Sequence, residues 1–366
     1  MKISTLHDNL QKATSLVSRV VGSRTSLPIL ANILLKADKS TLELSATNLE
    51  IALTARIGCK AEQTGQVCVP AKLLLETIQG LQSDKLTLSG DETKLEIAAA
   101  GAEVQIQATS AQEFPAIPEI KDAVKLSLTR DQVLESFTKV AVAASLDESR
   151  PVLAGVVLRN QGGELILAAT DSYRLAEAKL SGVKADDFAV ILPLRTVQEI
   201  LRLVGAITEA QDIDFEFGKS EAQVTIDSVQ LVTRLIDGNF PNYQQIIPDQ
   251  FGTTIRCARS ELMQAAKLAG IFARESAHTI TMKVMSDKLL LHAEAAQVGE
   301  NTSEVSIQLT GSEAEISLNV RFLIDALNVI PTEEVEIKLN DKLDPCVVVP
   351  YKPDSPYIHL IMPLRS

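Results

Sequence analysis

Thr41-Leu42-Glu43-Leu44-Ser45-Ala46-Thr47-Asn48 and Glu164-Leu165-Ile166-Leu167-Ala168-Ala169-Thr170-Asp171 are one stretch written twice, 123 residues apart. The first copy alternates apolar and polar residues, the period of a half-buried strand. Upstream, Ser26-Leu27-Pro28-Ile29-Leu30 has its counterpart in Ser149-Arg150-Pro151-Val152-Leu153 at the same offset of 123. Downstream, Val69-Pro70-Ala71-Lys72 matches Leu192-Pro193-Leu194-Arg195, again with the spacing kept. A fainter third copy follows. Leu289-Leu290-Leu291-His292-Ala293 answers Leu165-Ile166-Leu167-Ala168-Ala169, and Leu318-Asn319-Val320-Arg321 answers Leu192-Pro193-Leu194-Arg195. Each copy closes on an apolar-Pro pair: Phe114-Pro115, Phe240-Pro241 and Met362-Pro363. A third of 366 residues is 122, so the copies fill the chain. A period this long marks whole domains, not solenoid turns. The expected domains are 1–122, 123–249 and 250–366.

Every copy runs through the same order of elements. An amphipathic helix comes first: Leu6, Leu10, Ala13, Val17 and Val20, then Val133, Phe137, Val140 and Ala144, then Leu262, Ala266, Ala269 and Ala273. Those spacings of three and four put the apolar residues on one helix face. Alternating strands follow, as in Val104-Gln105-Ile106-Gln107, separated by turn signals such as Gln161-Gly162-Gly163 and Asp237-Gly238-Asn239. A second helix is predicted over 72–81, 194–204 and 320–330, and Pro70 and Pro193 precede two of these where a missing N–H costs little. Strand runs outnumber helices and adjoin through short turns. The class is α+β with largely antiparallel sheets, each copy carrying two helices packed on them.

Composition restricts the function. No apolar run reaches the roughly 20 residues that span a bilayer, and the amino terminus enters an amphipathic pattern with no signal-peptide core, so a cytoplasmic protein without membrane contact is expected. Cys59, Cys68, Cys257 and Cys346 form no CxxC pair and have no histidine at zinc-ligand spacing; they read as buried free thiols, with no metal and no cofactor. Neither a phosphate loop, GxSxG, HExxH nor a paired-carboxylate signature occurs. Asp212, Asp214 and Glu216 alternate with Ile213, Phe215 and Phe217, which reads as the wet face of a half-buried strand rather than a metal site. A chain this long without a catalytic constellation is a binding or scaffolding protein. A duplicated-domain enzyme with a ligand at its junctions, or a monomeric scaffold that never meets DNA, are the competing classes.

The net charge of −12 argues against nucleic acid until it is divided by element. The predicted helical segments 6–24 and 259–274 carry +2 each and 192–204 carries +1, while 69–81, 129–144 and 318–330 are neutral. The helices then hold +5 and the remainder −17. Helices sharing one surface would face phosphates while the rest repels them.

The chain resembles, end to end, the bacterial DNA polymerase III beta subunit family of sliding clamps. The resemblance is carried by Leu27-Pro28-Ile29-Leu30-Ala31-Asn32, Val69-Pro70-Ala71-Lys72, Thr170-Asp171-Ser172-Tyr173-Arg174-Leu175-Ala176, Asp237-Gly238-Asn239-Phe240-Pro241-Asn242-Tyr243 and Met362-Pro363-Leu364-Arg365. It implies three tandem clamp domains per chain and a head-to-tail homodimer closing into a ring around double-stranded DNA. Helices would line the channel. The ring would tether the polymerase, the clamp loader and repair proteins without catalysing a reaction. By motif match, Arg24, Lys72, Arg150 and Arg195 are the expected DNA contacts. The family's pocket for partner peptides, between the second and third domains, maps onto Leu153, Thr170, Ser172, Tyr173, Arg174, Leu175, Pro241, Ile246, Ile247, Leu360, Met362, Pro363, Leu364 and Arg365. Apolar members give an adaptable groove, with Arg174 or Arg365 orienting peptide carbonyls. Leu153 and Ile246 have a second reading as interdomain core, as Ile271 and Phe272 of the protomer interface have as buried core. Family members often carry Gly-His where this chain has Ser172-Tyr173, so its peptide preference is expected to differ. The protomer interface would set Val104 and Ile106 of one chain against Ile271 and Phe272 of the other.

Overall fold

The computed structural model describes residues 1–22, 27–297, 299–352 and 355–364. The chain folds as two compact units: Met1–Arg130 with Arg202–Leu235, and Asp131–Leu201 with Ile236–Ser366. Among the described residues six α-helices recur in pairs: α1 His7–Val17 and α2 Ala71–Gly80, α3 Arg130–Ala141 and α4 Leu194–Ala206, α5 Arg259–Phe272 and α6 Val320–Val329. Helices were expected at all six places. Only the ends differ. Leu6, placed on the apolar face of the first helix by its spacing, is the last residue of the Lys2–Leu6 strand and is exposed, because α1 starts only at His7. The buried stripe of α1 is Leu10, Ala13, Thr14 and Val17. Pro70 sits at the N-cap of α2, where no amide is required.

The described residues of the first unit form two antiparallel sheets. Five strands run in the order Lys60–Gln63, Lys2–Leu6, Lys85–Gly90, Lys94–Ala99, Ala102–Gln107. Eight run Val124–Thr129, Asp212–Phe217, Glu221–Ile226, Val229–Arg234, Ile51–Gly58, Thr41–Thr47, Asn32–Ala37, Gly65–Pro70. That second sheet crosses a repeat boundary, since Val229–Arg234 of the second copy pairs with Ile51–Gly58 of the first, Val232 opposite Ala52 and Thr233 opposite Ile51. The second unit repeats the device. Its nine strands run Phe188–Pro193, Gly155–Gln161, Glu164–Thr170, Arg174–Ser181, Tyr357–Ile361, Cys346–Pro350, Glu334–Leu339, Thr253–Ala258, Gln308–Gly311, so that the third copy joins the second at Leu175 opposite Leu360. A four-stranded sheet, Gly299–Ser306, Lys288–Ala295, Thr279–Val284 and Ala314–Asn319, completes it.

Side-chain alternation accounts for the cores. In Asp212–Phe217 the residues Ile213, Phe215 and Phe217 are buried, while Asp214 accepts from the Ser127 hydroxyl at 2.7 Å and Glu216 pairs with Lys125 at 3.0 Å. The acidic stripe is thus the wet face of a strand, and no cluster of metal-ligating side chains occurs among the described residues. All four cysteines are free thiols. Burial pushes Cys68, Cys257 and Cys346 up to about 12, whereas Cys59, between the strands Ile51–Gly58 and Lys60–Gln63, is only half-buried, contrary to expectation. Among the described residues no helix is long and apolar enough to cross a membrane.

Candidate functional site

The hairpin between Glu164–Thr170 and Arg174–Ser181 is fixed by its own side chains. Thr170 Oγ1 donates to the Arg174 carbonyl at 2.6 Å and accepts from the Ser172 amide at 3.1 Å. Asp171 Oδ1 accepts from the amides of Tyr173 and Arg174 at 2.9 and 3.0 Å. An Asx turn of this kind tolerates a left-handed residue, here Ser172 at φ +78°. The turn leaves Tyr173 64% exposed at the tip. Arg174 then turns back: its Nε donates to Asp171 Oδ2 at 2.9 Å, its Nη1 to Asp325 Oδ2 of α6 at 2.5 Å, and the guanidinium lies 4.5 Å from the centre of the Phe322 ring. Two carboxylates therefore hold Arg174 against α6, and only its remaining donors are left for the carbonyl-orienting role expected of it. Arg365 lies outside the described residues.

Below the hairpin, Leu175, Leu360, Val157, Ala168, Tyr243, Val347 and Val349 form one buried cluster, with Ile247, Phe240 and Met362 packed half-buried on it. The chain leaving the last strand is tied down, Met362 N donating to Tyr173 O and Leu364 N to Ser317 O, both at 2.8 Å. The expected wall thus divides by exposure. Tyr173, Ser172, Pro241 and Ile246 are exposed, and Ile247, Met362, Pro363 and Leu364 are half-buried. Leu175 and Leu360 are fully buried, and Leu153 and Thr170 nearly so. These four are core beneath the surface: Thr170, Leu175 and Leu360 lie in the sheet where the second and third copies meet, and Leu153 ends the 3-10 turn Pro151–Leu153. Sequence reasoning missed Tyr243 and Glu177. The Tyr243 hydroxyl donates to the buried Glu177 Oε2 at 2.6 Å and pins the segment that carries Pro241, Ile246 and Ile247. Burial first, then this bond, push the Tyr243 hydroxyl pKa up. Only the position of Tyr243 inside a quoted motif hinted at it.

Of the expected DNA contacts, Arg24 lies outside the described residues. Lys72 and Arg195 are exposed second residues of α2 and α4, Lys72 within 3.9 Å of Glu76 and Arg195 within 2.7 Å of Glu148. Arg150 is exposed at the start of the 3-10 turn Pro151–Leu153. The third copy supplies a residue absent from the expected set. Arg321 is the exposed second residue of α6, its amide bound to Asn319 Oδ1 at 2.9 Å. All three copies thus place a cation in the first turn of the second helix. The helix dipole disfavours a cation there by about 0.3–1 kcal/mol, and a bound phosphate would reverse that sign. The repeat alignment, which sets Arg321 against Arg195, contained the signal.

The helices are less basic than expected. Within their observed bounds, α4 (Arg195 and Arg202 against Glu199) and α5 (Arg259 and Lys267 against Glu261) carry +1 each and the other four are neutral, a total of +2 instead of +5. The difference of three is geometric, since α1 stops at Val17, short of both Arg19 and Arg24, and Arg274 sits in the 3-10 turn after α5.

The expected interface residues also divide. Ala102–Gln107 is an outer strand of its sheet, with Val104 half-buried but Ile106 only 1% exposed, pointing into its own core. Ile106 is therefore not an accessible contact. On α5, Ile271 is half exposed beside the exposed Leu268, and Phe272 is half-buried. Gly299–Ser306, the outer strand packed along α5, gives the second unit an edge of its own.

Residues 1–118, 127–242 and 244–365 match, in turn, the models of the N-terminal, central and C-terminal domains of the DNA polymerase III beta subunit. The chain is 30% identical over 373 residues to the beta sliding clamp of Synechococcus elongatus, covering 100% of this chain and 99% of that one. Among solved structures, the DNA polymerase III subunit beta of Pseudomonas aeruginosa fits with a TM-score of 0.95 at 27% identity, all of both chains covered. A sliding clamp from the same organism bound to griselimycin fits at 0.94, also with 27% identity and full coverage of both chains. Matched in order through all three repeats, the chain belongs to the DNA polymerase III beta subunit family.

Proposed function

We propose that two copies of this chain close head to tail into a ring around duplex DNA and act as a processivity factor, a non-catalytic subunit that slides without reading sequence. One observation carries this reading: the family match runs through three tandem domains over the whole length of chain and relative alike. The domains are taken as 1–122, 123–249 and 250–366, and the work is done in the cytoplasm. A ring holds DNA by enclosure, so its lining needs little affinity, and two net charges on the helices suit sliding better than a dense basic face. Arg24, Lys72, Arg150 and Arg195, joined by Arg321, touch phosphates. Tyr173, Ile246, Ile247, Met362, Pro363 and Leu364 receive short peptides from polymerase, loader and repair proteins, over a floor of Leu175 and Leu360. Val104 meets Ile271 and Phe272 across the protomer interface. The test is retention on a nicked circular DNA after loading. Retention on the circle that vanishes when the circle is cut linear is the expected result. Equal retention on both forms would overturn the ring.

A further inference from the structure

The frame that carries the peptide-pocket hairpin occurs a second time, bond for bond, in the first unit. Thr47 Oγ1 donates to Ile51 O at 3.0 Å and accepts from Leu49 N at 3.0 Å, as Thr170 does with Arg174 and Ser172. Asn48 Oδ1 accepts from Glu50 N and Ile51 N at 3.0 and 2.8 Å, as Asp171 does from Tyr173 and Arg174. Leu49 holds φ +75° where Ser172 holds +78°. The neighbouring strand keeps register too: Ile51 and Ala52 face Thr233 and Val232 as Arg174 and Leu175 face Ile361 and Leu360. Even the tie after that strand recurs, Arg234 N to Glu50 O at 3.4 Å against Met362 N to Tyr173 O at 2.8 Å.

Three differences tell what the first copy is built to hold. Ala52 stands where Leu175 fills the floor, and a cleft of about 120 Å³ opens beside it, lined by Leu49, Ile51, Ala52, Pro115, Ile117 and Val232. That space has room for one branched aliphatic side chain. Leu49 is 48% exposed in a backbone conformation that leucine rarely adopts, so the fold holds an apolar residue at the cleft mouth against its own preference. Among the described lining residues the charged ones are Glu50, Glu221 and Arg234, a net charge of −1.

We infer that this cleft is a second peptide groove, taking an extended segment of a partner protein that presents one leucine-like side chain beside a lysine or arginine. The inference rests on reading the second unit's hairpin frame as a peptide pocket, and the two stand or fall separately in the following experiment. The full chain is photo-crosslinked with the hexapeptide Gly-Ser-Lys-photoleucine-Ser-Gly amide and the adducts are mapped by mass spectrometry. Adducts on 47–52 and 115–118 are expected. They should fall at least tenfold in Ala52→Phe, which plugs the cleft, and at least threefold when glutamate replaces lysine in the probe. They should be unchanged when residues 362–366 are deleted. Adducts confined to 170–175 and 360–364 would overturn the second groove and leave the first reading intact. First-unit adducts without any at 170–175 would do the reverse. Should Ala52→Phe fail to fold, Leu49→Asp replaces it, its side chain being already at the surface. Adducts that persist in Leu49→Asp would sink the proposal as non-specific labelling. A drop from dimer to monomer in that variant would also sink it, by assigning the cleft to a second copy of the chain.

Discussion

His359 is fully buried, its Nδ1 3.0 Å from the Tyr357 hydroxyl, and its Nε2 has no hydrogen-bond partner among the described residues. Burial, aided by the Arg174 charge, pushes it down to about 3. In the unfolded chain a histidine titrates near 6.5. Between these values the unfolded state binds the extra proton, so stability rises with pH through that window and is lost as pH falls from about 6.5 towards 3. The slope from this one group is about 1.4 kcal/mol per pH unit. Urea unfolding at a series of pH values should show that slope in the native chain and lose it in His359→Gln; equal slopes would mean that another group dominates. Nothing in Tyr357-Ile358-His359-Leu360-Ile361 announces a buried histidine. The strand is covered on both faces, so alternation carries no inside-outside information there. Ile106 shows the opposite limit: alternation was legible, but which face met the core was not.

Among the elements, the second helices carry the clearest mark of function. Lys72, Arg195 and Arg321 each sit in a first turn, at odds with the helix dipole. Replacing all three with alanine should leave the melting temperature unchanged or slightly raised. It should also weaken DNA association and flatten its dependence on salt by up to about 0.9 in the logarithmic slope for each phosphate contact removed. An unchanged slope would take these residues off the DNA. The tail after the last strand is the other element to which the proposed function gives a task. Deleting Met362–Ser366 should abolish binding of a labelled partner peptide while the dimer persists, and a peptide that still bound would move the pocket elsewhere. The helices themselves were legible because a period of three and four survives any context. Their ends were not, and the seven residues by which 6–24 ran past Val17, with Arg274 beyond α5, were enough to overstate the helix charge.

At the scale of the molecule, the repeats told how many domains to expect but not that sheets would be shared between copies. Alternation specifies which face of a strand is apolar and is silent on which strand lies beside it. Hence Val229–Arg234 beside Ile51–Gly58, and Tyr357–Ile361 beside Arg174–Ser181, could only be seen in three dimensions. In solution, light scattering should return twice the chain mass of 39.5 kDa. A single-chain mass at micromolar concentration would count against a ring that stays closed on DNA.

Those shared sheets also have a mechanical meaning. A flexible linker between repeats would let neighbouring copies swing at the cost of a few backbone rotations. Here each seam is a run of paired strands, from Val229 against Ala55 to Thr233 against Ile51, and from Arg174 against Ile361 to Ala178 against Tyr357. Bending either seam would mean tearing several amide-to-carbonyl bonds together while prising apart the apolar side chains beneath them. Bending at these two joints therefore costs more than it would at a flexible linker, because paired backbone and packed side chains would have to part together.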